Sequence, residues 1–168
     1  MTAAPAGRAG ALVRLLQLAP HPEGGWYREV FRSDDAAPHP DGRGPRQALT
    51  SIDFLLAAGE RSAWHRVASD EAWHLLEGGP LRLWLLPPDL SRVELHLLAP
   101  VGTGGERPRH VVPAHWWQAA EPAPSAAYAL VGATVAPGFD FADFTFGRDD
   151  TALVQALPAL QPDTRRLL

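Results

Sequence analysis

Apolar residues follow two periods along this chain. Leu12, Leu15, Leu16 and Leu18 recur at helical spacing, and Ala19-Pro20-His21-Pro22 stops that helix. Pro20, Pro22, Gly24 and Gly25 mark a tight turn. Trp26 to Arg32 alternates large and charged residues and reads as a strand, and Asp34 to Pro45 reads as a mobile Pro/Gly/Asp loop. From Leu49 the pattern changes to short β-like runs at about ten-residue spacing: 50–56, 63–67, 71–77, 81–86, 92–98, 110–112, 116–120 and 126–136. Gly, Pro and Asp clusters separate them. Residues 140–146 add a last strand, and 151–156 form a terminal helix ended by Pro158. Many short strands with turn signals between them predict a sandwich or barrel.

Composition narrows the classes. At 168 residues the chain makes one domain with a sizeable core. A net charge of -4 with scattered Arg argues against nucleic acid. The absence of Cys excludes disulfides, thiolate metal sites and a Cys nucleophile. All fifteen basic residues are Arg, so Schiff-base lysine chemistry and a P-loop are excluded too. No apolar run reaches the length of a signal peptide core or a membrane span, and a cytoplasmic location is expected.

The chemistry concentrates at Gly59, His65, Glu71 and Gly78, which fit the spacing G-x5-H-x-H-x3-E-x6-G of a metal-binding β-barrel motif. Position 67, where a second histidine is expected, is Val67. Strand alternation puts His65 and Val67 on one face, and Glu71, Trp73 and Leu75 on one face of the next strand. The expected product is a pocket with an imidazole, a carboxylate and an aromatic wall; the alternative is a half-buried His and Glu that happen to fit the spacing.

Further blocks resemble one family. They are PHPEGGWYRE (20–29), Thr50-Ser51-Ile52, SAWHRV (62–67), DEAWH (70–74), VVPA (111–114), WQAA (117–120) and VAPGFDFADF (135–144). Across residues 12–147 the chain is similar to the type-5 cupins, the DUF985 family. The resemblance implies an all-β double-stranded β-helix, the cupin jelly roll, with short terminal helices, and a homodimer. The expected layout is a flexible N-terminus over 1–11, the cupin domain over 12–147 and a helical tail over 148–168. The second cupin motif, P-x-G-x2-H, here reads Pro113-Ala114-His115-Trp116-Trp117-Gln118, so Gln118 replaces a ligand histidine. His65, Glu71 and Gln118 are then the remaining metal candidates. With two imidazoles lost, no tightly held metal is expected, only a weak transition metal if any.

The functional expectation is a cupin that binds a small polar or anionic molecule, a carbohydrate or nucleotide-sugar among them, without a tight metal. Trp26, Arg28, Ser51, His65, Glu71, Trp73 and Gln118 are the candidate binding residues. For Trp26 and Arg28 two readings stay open: ligand contacts near the mouth, or a core tryptophan and a surface ion pair. The alternatives are a sugar epimerase or isomerase and a metal-dependent oxygenase with a depleted ligand set. The first would use His65 as base, oriented by Asp143 or Glu71, and Tyr128 or Tyr27 as acid. His96 is expected on the surface, and His110 and His115 toward the barrel mouth. No nucleic-acid or membrane partner is expected.

Overall fold

The structure is a computed structural model and describes residues 4–168. Helix α1 (Gly7–Leu15) leads into strands β1 (Ala19–Pro20) and β2 (Trp26–Arg32) and a small hairpin of β3 (Ala36–Ala37) and β4 (Arg46–Gln47). The barrel strands follow: β5 (Thr50–Ala57), β6 (Ser62–Val67), β7 (Asp70–Gly78), β8 (Leu81–Leu86), β9 (Glu94–Leu98), β10 (Arg109–Val112), β11 (Trp117–Pro122) and β12 (Tyr128–Ala136). A 3-10 turn at Phe141–Asp143, β13 (Phe144–Phe146), α2 (Thr151–Leu160) and a final 3-10 segment at Pro162–Leu167 complete the chain.

Two antiparallel sheets face each other. One has the order β1-β2-β5-β12-β7-β10, the other β13-β6-β11-β8-β9. Sequence neighbours β5, β6 and β7 alternate between the sheets, which is the jelly-roll crossing expected for an all-β chain of this kind. Alternation then sorts the side chains. Phe54, Trp73, Leu83, Leu85 and Val131 point inward and pack between the sheets. The outward residues Trp26, Leu55 and Leu130 are covered by α1 through Leu12 and Val13. Trp64, Trp84, Leu86 and Trp117 are covered by Leu153 and Leu157 of α2. Each fully buried Leu or Trp contributes on the order of 1.5–3 kcal/mol, so both helices are held by packing.

All eight expected runs are strands, with small shifts at their ends. Five details differ. The last strand, expected over 140–146, covers only Phe144–Phe146 and follows a 3-10 turn at Phe141–Asp143 that Asp140 caps. The first helix begins at Gly7, inside the segment expected to be flexible, because Ala9 and Gly10 pack under it; residues 1–3 lie outside the described residues. Leu15, counted in its apolar stripe, is 70% exposed, because the stripe that packs is Ala9, Leu12 and Val13. Pro158 does not end α2; it sits inside the helix, where burial of Leu153 and Leu157 outweighs one missing N–H. The loop over 34–45 is tied down, with Arg43 and Arg46 both bonded to Asp143 and His39 buried.

Candidate functional site

The inward face of the sandwich is filled by side chains where β8 crosses it. Where β2, β5, β6, β7, β12 and β13 meet, it opens into a cavity of about 550 Å³. Inward positions of the strands line it: Tyr27 and Glu29 from β2, Thr50 and Ile52 from β5, His65 and Val67 from β6, Glu71 from β7, Ala133 and Val135 from β12. Val67 and Glu71 sit where β6 and β7 approach each other across Ala68-Ser69, so the tight connection itself brings His65 and Glu71 together.

The cavity's most chemical wall comes from the turn before β2. Gly24 has φ +110, and a Cβ there would lie 2.0 Å from Arg61 O. Only glycine allows this approach, and the Glu23 carbonyl also accepts from Ala63 N at 2.9 Å. The turn thereby presses Glu23 against the start of β6. Glu23 Oε1 accepts from Ser62 Oγ at 2.8 Å, and Glu23 Oε2 lies 3.3 Å from His65 Nε2. His65 Nδ1 is 2.7 Å from Ala63 O. A carbonyl only accepts, so Nδ1 carries the proton and Nε2 is the bare nitrogen when the ring is neutral. A neutral carboxyl matches a bare nitrogen; a carboxylate would set lone pair against lone pair. Burial pushes Glu23 up to about 8, against the stabilising bond from Ser62. Burial also lowers the His65 imidazole, in spite of Glu71 and the Ala63 carbonyl. The imidazole of His21 is pushed down to about 4 by burial and by His65, and its ring meets Tyr27 edge-on at 4.4 Å. At neutral pH the wall is therefore uncharged at His21, Glu23 and His65.

Glu71 differs. Burial, reinforced by Glu23, lifts it to about 7, against the pull of His65 and Gln118. Gln118 Nε2 donates to Glu71 Oε2 at 2.5 Å, and Trp73 Nε1 donates to Gln118 Oε1 at 2.9 Å. An indole N–H can only donate, so the amide orientation is fixed by chemistry: oxygen to Trp73, NH2 to Glu71. At the outer end, Phe139, Phe141 and Phe144 form an aromatic rim, and Phe144 stacks on His65 at 5.2 Å. Arg32 reaches this rim, held by Glu29 at 2.9 and 2.7 Å.

A family model described as "Cupin superfamily (DUF985)" matches residues 10–147. The chain belongs to this family. Among solved structures, this cupin is similar to a hypothetical protein from Leishmania major, with 31% identity over 96% of each chain and a TM-score of 0.82. A Shewanella oneidensis protein is 32% identical over 96% of this cupin and 95% of its own length, with a TM-score of 0.78. A Bacillus subtilis oxalate decarboxylase mutant is only 13% identical, with a TM-score of 0.54 over 85% of this chain and 34% of its own, and shows the fold alone. No curated protein matches this cupin significantly.

The donor chemistry of this cupin fits a metal poorly. Val67 supplies no donor, and Gln118, whose oxygen is occupied by Trp73, turns only N–H groups toward Glu71. Among the described residues no three His, Asp or Glu side chains are grouped to hold a metal ion.

The candidates read from the sequence separate cleanly. His65 and Glu71 line the cavity; Trp73 and Gln118 lie behind Glu71, fully buried. Trp26 and Arg28 do not line it. Trp26 packs under α1 and donates to Glu60 at 3.0 Å, while Arg28 reaches the carbonyl of Leu16 at 3.2 Å. Ser51 faces outward and pairs with Thr134 at 3.0 Å; its neighbour Thr50 faces in. Tyr128 also faces outward, its hydroxyl donating to Glu77 at 2.7 Å, so Tyr27 is the phenol in the cavity. Asp143 orients no imidazole, because Arg43 and Arg46 occupy both its oxygens. His96 is half-buried and stacks on His110 at 3.7 Å, on the far edges of the sheets. Neither His110 nor His115 lines the cavity. Glu23, His21 and the phenylalanine rim were missed. The signal for the first two was polar residues inside a Pro/Gly turn too rigid to be a plain linker.

Proposed function

We propose that this cupin binds a small molecule in its barrel and moves protons on it, with Glu71 as the base and the neutral Glu23, seated against His65, as the acid. The carrying observation is the placement of two buried carboxyls on one cavity, Glu23 against His65 at 3.3 Å and Glu71 bonded to Gln118, both pushed up by burial. A base works best when its pKa lies close to the working pH, and an acid must keep its proton there. Perturbed carboxyls gathered in a cleft are a functional signature with a physical cause.

This reading moves the base from His65 to Glu71. His65 Nε2 faces Glu23 at 3.3 Å, and its other nitrogen is bound to Ala63. The imidazole therefore lies against Glu23 rather than meeting the ligand first. Gln118 steadies one oxygen of Glu71 and leaves the other for substrate. No tightly bound metal is required, in keeping with Val67 and the amide orientation of Gln118.

The test is isotopic and works with an unidentified ligand. A small-molecule extract is incubated in D2O with the wild-type protein or with Glu71→Gln, and its components are followed by mass spectrometry. One compound is expected to gain deuterium with the wild type and not with the variant. If no compound is labelled, or if both proteins label the same one equally, the reading is wrong.

A further inference from the structure

The cavity has two unlike ends, and their contrast narrows the ligand beyond the reaction type. This step rests on the proton-transfer reading above. The inner end carries Glu23, His65 and Glu71. The sides and rim carry Ile52, Val67, Ala133 and Val135, together with Phe139 and with Phe144 stacked on His65, and the Glu29–Arg32 pair and Asp140 stand beside them.

An anionic ligand has nothing to bind. Among the described residues, Arg32 is the one guanidinium that lines the cavity. It makes four hydrogen bonds of its own: two to Glu29, one to Gln47 Oε1 at 3.1 Å and one to Phe139 O at 3.4 Å. Its charge is answered by Glu29. Asp140 and Glu71 also line the space, so a phosphate or carboxylate would enter a site with surplus negative charge and no free cation. Arg28, the cation that an anionic ligand would have needed, lies outside the barrel.

A flat hydrocarbon ring, in contrast, is matched by the phenylalanine rim and by Ile52, Val67 and Val135. A volume of about 550 Å³ accommodates such a molecule.

We propose that the substrate is an uncharged carbonyl compound built on a flat apolar ring, which Glu71 and Glu23 convert to its enol. The ring lies against the phenylalanine rim, and the carbonyl oxygen meets the Glu23 carboxyl. Glu71 carboxylate takes a proton from the carbon next to the carbonyl. The C–H electron pair becomes the new C=C bond, and the carbonyl π pair takes the proton of Glu23, whose O–H turns from the bare nitrogen of His65 to the incoming oxygen. Glu71 is then neutral and Glu23 is a carboxylate beside His65. Return of the Glu71 proton to the same or a conjugated carbon, and of the enol proton to Glu23, restores both groups. Atoms and electrons balance without an oxidant, a reductant or a metal.

The test uses two probes of related skeleton and different charge, 2-tetralone and phenylpyruvate. Binding is measured by calorimetry, and exchange of the proton next to the carbonyl by proton NMR in D2O. The expected result is binding of 2-tetralone, with exchange accelerated roughly a hundredfold over buffer, and loss of the acceleration in Glu71→Gln and in Glu23→Gln. Phenylpyruvate should neither bind nor exchange faster. Binding or labelling of phenylpyruvate as strong as that of 2-tetralone overturns the charge and ring preference while leaving proton transfer standing. Binding of 2-tetralone without faster exchange overturns proton transfer and leaves the preference for an uncharged ring. Failure of 2-tetralone to bind overturns the ligand class.

Discussion

Replacing Glu23 by glutamine should remove a large part of the way stability responds to pH. In the fold Glu23 keeps its proton up to about 8, because it is buried, against 4.5 for an unperturbed carboxyl. Between those values the unfolded chain binds fewer protons than the folded one, so stability falls as pH rises. The loss is complete only above the folded value. Between pH 5 and pH 9 it amounts to on the order of 4 kcal/mol, at about 1.36 kcal/mol for each unit separating the two pKa values. The amide introduced by Glu23→Gln does not titrate. Its oxygen can still accept from Ser62, and its NH2 can face the bare nitrogen of His65. Glu71 titrates in both proteins and largely cancels in the difference. Urea unfolding followed by tryptophan fluorescence at pH 5, 7 and 9 measures the effect. At pH 5 the two proteins should lie within about 1 kcal/mol, and at pH 9 the variant should be more stable by roughly 3–4 kcal/mol. Parallel stability curves over this range would refute the reasoning, because they would mean that Glu23 is ionised in the fold throughout.

Three further outcomes are expected. Wild-type protein should release transition metal on dialysis against a chelator, whereas Val67→His with Gln118→His should retain it one to one; a wild type that holds stoichiometric metal would contradict the reading of Gln118. Asp143→Asn should cost about 1–3 kcal/mol in urea unfolding and hasten proteolysis within 34–45, without changing ligand binding, since it frees Arg43 and Arg46 outside the cavity. Light scattering should give a homodimer of twice 18.2 kDa, and Leu76→Glu, on a side chain 56% exposed, should weaken it; a monomer across micromolar concentrations would count against a dimer.

The sheets were legible because a two-residue period interrupted by Gly and Pro leaves little choice of element. His65 and Glu71 were legible because their spacing is short enough for one tight connection to bring them together. Glu23 was not, since it lies far before His65 in the chain and is delivered by a turn whose approach depends on a glycine contact with Arg61. The phase of β2 was a second blind spot. WYREVFR alternates, but alternation does not say which set faces in. Trp26 and Arg28 drew attention through size and charge, yet α1 claims the tryptophan, and Tyr27 and Glu29 take the cavity. Tyr128 and Ser51 failed for the same reason of phase. Asp143 failed for another: Arg43 and Arg46, about a hundred residues earlier in the chain, occupy its oxygens.

The most direct measurement is the titration of the glutamate side-chain carboxyl carbons by 13C NMR, with Glu23→Gln and Glu71→Gln used to assign the two resonances. The account predicts that Glu71 titrates near 7 and Glu23 near 8. If every glutamate titrates below about 5, within the ordinary range for exposed carboxyls, the cavity holds two plain carboxylates and cannot act as the acid–base pair described.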